Sequence, residues 1–117
     1  DSTIGVATAT TLTITGTIGD NGNDFDLTKE STGVLALRPL DGANPTVNTY
    51  GGDTIVNQGA LRVEGDGALG TSDSATFVRN GAQLQVGAPA GSSGITINGE
   101  TLHLSGTGIS NTGALRN

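Results

Sequence analysis

The sequence predicts an all-β chain, a β-solenoid segment of about five coils that forms one unit over residues 1–117. Three observations carry that expectation. A Leu-x-aliphatic module recurs as Leu12-Thr13-Ile14, Leu35-Ala36-Leu37, Leu61-Arg62-Val63, Leu84-Gln85-Val86 and Leu102-His103-Leu104, and Leu115 opens a sixth. These leucines are 23, 26, 23, 18 and 13 residues apart, and similar but unequal spacings suit coils that share a wall and differ in loop length. Helix signals are nearly absent: Thr, Gly, Asn and Ser dominate, and these favour strands, turns and side-chain-to-backbone hydrogen bonds over helix interiors. Finally, the only aromatic residues are Phe25, Tyr50 and Phe77. A wide core usually leans on more large rings, whereas a narrow interior can be filled by Leu, Ile, Val, Ala and Thr.

The strands are expected in pairs. Ile4 and Val6 mark a strand over 3–7, and Leu12 and Ile14 its mate over 11–15. Asn21-Gly22 is a turn, since both residues tolerate positive φ. Phe25 and Leu27 lead a second pair over 25–28 and 34–38, followed by a long loop over 41–52. Pro39 and Pro45 lack a donor and cannot sit mid-ladder. The third pair spans 54–57 and 60–64, bent at Gln58-Gly59. Leu61 and Val63 are two apart and face one way, with Arg62 and Glu64 facing the other. Phe77 and Leu84 mark a fourth pair over 75–79 and 82–86, turned at Asn80-Gly81. A small-residue loop at 88–94 leads to a fifth pair over 94–98 and 101–105, carried by Ile95, Ile97 and Leu102 and turned at Asn98-Gly99. Ile109 then precedes Leu115. Leu12, Leu35, Leu61, Leu84, Leu102 and Leu115 are the expected core stack.

Composition narrows the function classes. A formal net charge of −6 argues against nucleic acid, which needs a basic face. The five cations, Lys29, Arg38, Arg62, Arg79 and Arg116, are scattered along the sequence. The absence of Cys removes disulfide and thiol chemistry. No apolar run approaches the roughly 20 residues of a membrane span, so no membrane insertion is expected. No stretch reads as a signal peptide.

The densest acidic cluster is Asp20-Asn21-Gly22-Asn23-Asp24-Phe25-Asp26. Asp20, Asp24 and Asp26 are the candidate calcium ligands, because Ca²⁺ takes six to eight oxygens. The spacing matches neither an EF-hand nor a recurring nonapeptide, so the preferred reading is a solvated turn whose Asx side chains satisfy backbone amides. His103 is the lone histidine and should face solvent, away from Leu102 and Leu104, with no convergent partner for catalysis. The expected outward row of Thr13, Ala36, Arg62, Gln85 and His103 has no paired carboxylates at glycosidase separation. Tyr50 and Asn44, in the 41–52 loop, are the candidate surface contacts. The Tyr50 ring is expected to pack on the adjacent coil with its hydroxyl wet. No catalytic residue, cofactor or metal is assigned.

From Leu27 to Val63 the chain resembles the autotransporter-associated β-strand repeat of bacterial passenger domains. The likeness is carried by Leu27-Thr28-Lys29, Gly33-Val34-Leu35-Ala36-Leu37, Gly42-Ala43-Asn44, Thr49-Tyr50-Gly51-Gly52-Asp53-Thr54-Ile55-Val56-Asn57 and Gln58-Gly59-Ala60-Leu61-Arg62-Val63. Gly67 to Thr71, Asn80 to Leu84, 109–117 and 1–19 look like further parts of tandem versions. Pro45-Thr46-Val47-Asn48 intervene where the family runs directly into Thr-Tyr. The resemblance implies a right-handed parallel β-helix, secreted or displayed at the bacterial surface, with no catalytic residues. The expected role is a structural extracellular repeat that stacks end to end with copies of itself or adjacent repeats into a fibre, filament or stalk. Both ends read as unfinished coils. An adhesin module binding glycan or a host surface through residues 41–52 is the alternative, and a fragment of a polysaccharide-degrading β-helix enzyme stands behind it.

Overall fold

The computed structural model describes residues 1–42, 44–87, 95, 97 and 100–116, and none of these lies in an α-helix. The strands are β1 (Ser2–Gly5), β2 (Thr11–Ile14), β3 (Leu27–Glu30), β4 (Val34–Leu37), β5 (Leu40–Asp41), β6 (Asn44–Pro45), β7 (Thr54–Val56), β8 (Ala60–Val63), β9 (Ala75–Val78), β10 (Gln83–Val86), β11 (Thr101–Leu104) and β12 (Leu115–Arg116). The first sheet runs β1-β3-β7-β9-β11 and the second β2-β4-β8-β10-β12. Every pairing within these two sheets is parallel. Consecutive strands of the chain alternate between the sheets, so the backbone winds as a β-solenoid. Five rungs in each sheet are separated by four full turns.

The register builds columns along the axis. In the second sheet Leu12, Leu35, Leu61, Leu84 and Leu115 lie in line, with Ile14, Leu37, Val63 and Val86 two residues on. Alternation sends both columns to the interior. In the first sheet the inward columns are Ser2, Leu27, Thr54, Thr76 and Leu102, then Ile4, Lys29, Val56, Val78 and Leu104. Leu35, Leu61 and Leu84 are 0% exposed, while Leu12 and Leu115, on terminal rungs, are 43% and 45% exposed. These two leucines complete the column without being buried by it.

Leu102 departs from the expected stack. It belongs to β11 of the first sheet and pairs with Thr76, while the neighbour of Leu84 is Leu115. The two short leucine spacings of 18 and 13 are therefore one coil of 31 residues. Alternation within a strand fixes which residues point inward but leaves open which sheet the strand joins, and Leu102-His103-Leu104 satisfies either. The expected strand over 94–98, the loop at 88–94 and the Asn98-Gly99 turn lie outside the described residues, apart from Ile95 and Ile97, which pack against the core. The expected 41–52 loop opens with a two-residue antiparallel ribbon that begins one residue earlier, Leu40 against Pro45 and Asp41 against Asn44.

The bend from the first sheet to the second brings successive backbones into contact. Gly59 has φ +67°, and a Cβ there would sit 2.4 Å from the Gly33 carbonyl oxygen. A side chain at this position would push two rungs apart. Beside that bend, Lys29 is buried in the inward column of the first sheet. Its Nζ donates to the carbonyl oxygens of Glu30 (2.8 Å), Ser31 (2.5 Å) and Gln58 (3.1 Å). Three acceptors match the three donors of an ammonium group, and Gln58 comes from the next coil. Lys29 therefore stitches two bends together from inside. Desolvation holds its pKa below the usual lysine range, with the Glu30 carboxylate pulling the other way.

Candidate functional site

The acidic residues form a structural corner. Asp20 Oδ2 accepts the amides of Phe25 and Gly51 at 2.9 Å each, and Oδ1 that of Gly22 at 3.0 Å. The Gly51 amide above all lowers the Asp20 pKa, partial desolvation opposes it, and the Phe25 and Gly22 amides lower it further. Asp26 Oδ1 accepts the Asp53 amide at 2.7 Å, and Asp53 Oδ1 accepts the Ala75 amide at 3.0 Å. Asp1 begins the same file by accepting the Asp26 amide at 3.2 Å. Each carboxylate in this file holds the amide of the following rung. Among the described residues no group of three or more His, Cys, Asp or Glu side chains is placed to hold a metal. The carboxylates of Asp20 and Asp26 are directed at backbone donors, and Asp24 packs against Gly51.

The 41–52 loop divides into an outer and an inner half. Asn44 is exposed. Tyr50 is 2% exposed, and its hydroxyl shares a 2.6 Å hydrogen bond with Thr54 Oγ1. This corrects the expectation that Tyr50 offers a surface contact with a wet hydroxyl: the ring fills the core, and its oxygen is satisfied internally. Burial pushes the phenol pKa up, against the Thr54 hydrogen bond, and Glu100 adds to the rise. Asn48, also buried, accepts the Ile18 amide and donates to the Ala68 carbonyl, both at 2.8 Å. It bridges three coils on the irregular third side of the solenoid. At Gly52 a Cβ would meet the Phe25 carbonyl carbon at 2.4 Å. The stretch from Asn48 to Gly52 is thus read as a packing device.

Outward residues of the first sheet form the column Thr3, Thr28, Ile55, Phe77 and His103. The Phe77 and His103 rings stack with centroids 4.6 Å apart and planes 7° apart, and the Arg79 guanidinium lies 5.5 Å from the Phe77 centroid. The ring separation matches the spacing of neighbouring strands, so the rings stack along the solenoid axis. His103 therefore does not share a row with Arg62 and Gln85; it belongs to the other sheet, because β11 pairs with β9.

The outward column of the second sheet is Thr13, Ala36, Arg62, Gln85 and Arg116. A relay runs across it. Arg62 Nε donates to Gln85 Oε1 (3.2 Å), Gln85 Nε2 to Gln83 Oε1 (2.8 Å), and Gln83 Nε2 to Thr112 Oγ1 (2.8 Å) and the Gly113 carbonyl (2.7 Å). Arg62, Gln85, Val86, Gly87 and Arg116 line a shallow depression of about 320 Å³. Its basic character was illegible in the sequence, where Arg62 and Arg116 are far apart; the parallel register brings them to either side of Gln85.

A parallel β-solenoid with this outer surface fits a repeat of the bacterial autotransporter type. The particular likeness is to the adhesin BmaC autotransporter of Brucella suis biovar 1 (strain 1330), with 34% identity over 114 residues. The alignment takes in 92% of this chain and 3% of that protein, so the chain spans a small fraction of the relative it matches. No family model and no solved structure matches the chain.

Proposed function

We propose that the chain is a run of autotransporter-associated β-strand repeats in the passenger region of a bacterial surface adhesin. Its role in this reading is mechanical: it adds reach outside the cell and holds an adhesive surface away from the membrane. The observation that carries this is the unbroken register of both sheets across five rungs. Backbone ladders and inward columns continue from rung to rung, which lets repeats act as a stiff rod whose stability is a sum over neighbouring interfaces. The likeness to an autotransporter adhesin supports the surface location and the adhesive context. A non-enzymatic role accords with the carboxylates described above, which are committed to backbone amides. No helix among the described residues is long and apolar enough to cross a membrane.

The partners proposed are adjacent repeats stacked head to tail on the terminal rungs, where Leu12, Leu104 and Leu115 are exposed. The test is electron microscopy of one, two and three tandem copies. Five rungs at strand spacing predict about 24 Å of added length per copy. Rods that lengthen by that step support the reading, and separate beads joined by flexible segments would overturn it.

A further inference from the structure

We propose that the depression on the outer face of the second sheet binds an acidic sugar, a saccharide unit carrying a carboxylate or a sulfate ester. The chain carries a formal net charge of −6 and only five cations, yet two of the five flank this one depression. Arg62 and Arg116 sit one rung to either side of Gln85, so their backbones are about 9.6 Å apart at strand spacing. Among the described residues Arg62 bonds only Gln85, through Nε, and Arg116 has no polar partner. The terminal nitrogens of both guanidinium groups remain available. Such planar forks suit carboxylate and sulfate oxygens.

The site is also held in shape. Gln83 is buried and anchored on Thr112 and Gly113, it fixes Gln85, and Gln85 orients the Arg62 fork. Supporting hydrogen bonds of this kind reduce the ordering a ligand must impose. Gly87 leaves the floor open: among the described residues a Cβ there would meet only the Arg62 stem, at 3.8 Å. The depression reaches the lower end of the size range of small-ligand sites. A saccharide suits it better than an acidic peptide on two grounds. Among the described residues Val86 is the only large apolar one in the lining, and its small side chain makes a poor anchor for a peptide. Strands β8 and β10, which carry Arg62, Gln85 and Val86, are paired on both sides, so a peptide lying over them finds no free edge there.

The experiment measures binding of the whole chain by biolayer interferometry and NMR titration at low and raised salt. The probes are a short uronic-acid oligosaccharide, a sulfated oligosaccharide, a neutral dextran oligomer and a polyglutamate peptide. Binding to either acidic sugar, weakened by salt, with dextran silent, supports the proposal; whichever acidic sugar binds more tightly identifies the acid group. Doubly neutralised R62Q/R116Q should lose tenfold or more in affinity, and Gly87→Trp, which fills the floor, should lose as much. Arg79→Gln, on the opposite sheet, should bind as the parent does. Thermal melts confirm that each variant is folded, and a variant that fails to fold is replaced by R62K/R116K, which keeps charge and loses the fork. Equal binding of dextran, binding of polyglutamate alone, no binding by any probe, or folded R62Q/R116Q within twofold of the parent would each overturn it.

Discussion

Leu61 and Leu12 occupy one column and belong to the same kind of sequence module, yet Leu61 is fully buried and Leu12 is close to half exposed. The difference is positional. Leu61 has Leu35 on one side and Leu84 on the other, whereas Leu12 has a neighbour only in Leu35. Apolar burial scales with the area removed from water, so identical modules contribute unequally according to how many rungs flank them. Central rungs are held by two interfaces and terminal rungs by one. Opening should therefore begin at the outermost rungs and proceed inward.

The sharpest way to break this comparison is a buried charge. Leu84→Asp should destabilise by about 4 kcal/mol or more, because an unpaired carboxylate enters the interior. Leu12→Asp should stay below about 1 kcal/mol, as expected of a solvated site. Urea titrations of both variants decide it, and equal losses would show that the column does not set burial. Truncation gives a smaller contrast. Leu61→Ala should lose about 3 kcal/mol through transfer and cavity terms, and Leu115→Ala under about 1 kcal/mol. In a tandem dimer the loss at Leu115 of the first copy should grow toward that at Leu61, since a following rung would cover it.

Lys29 sharpens the comparison differently, because it joins two coils through polar bonds. Lys29→Met keeps the length of the side chain but takes the ammonium donor from three carbonyl oxygens, of which Glu30 keeps the Val6 amide, and about 2 kcal/mol should be lost. A thermal melt with unchanged or raised midpoint would show that removing a buried ammonium outweighs the lost bonds. The smallest effect is expected at Glu100, near the last rungs. Burial raises its pKa above the ordinary glutamate range, against the Thr76 hydroxyl, with Asp53 adding to the rise. A carboxyl that holds its proton more tightly when folded causes no loss below the unfolded pKa. Stability falls as pH climbs through the folded pKa. Glu100→Gln should therefore melt higher than the parent at neutral pH, with the gap closing below about pH 4. A gap independent of pH would assign the effect to packing.

Much of the fold was legible because strand periodicity is local. Leu35, Leu61 and Leu84 announce an inward face from their own neighbours in sequence. Leu102 shows where that logic stops, since alternation cannot say which of two sheets a strand will join. Tyr50 was misplaced, and the burial of Lys29 went unread, for another reason. A charged or hydroxyl-bearing side chain reads as a surface residue until its partners are known, and those partners, Gln58 and Thr54, are supplied by the fold. The outer depression depends entirely on register, because Arg62 and Arg116 meet Gln85 only after the chain has wound around the solenoid twice.

The coils between successive leucines of the second sheet differ by up to eight residues, from 23 to 31, while the ladder they join advances one strand width each time. Contour length and axial height are thereby uncoupled. At about 4.8 Å per coil, a residue contributes on average only about 0.2 Å of height. Residues added within a coil widen the girth and leave the far end of the rod where it was. Evolution or engineering could exchange the short ribbon that pairs Leu40 with Pro45 for a bulkier one without moving anything displayed farther out. To change how far the rod reaches, whole coils must be gained or lost.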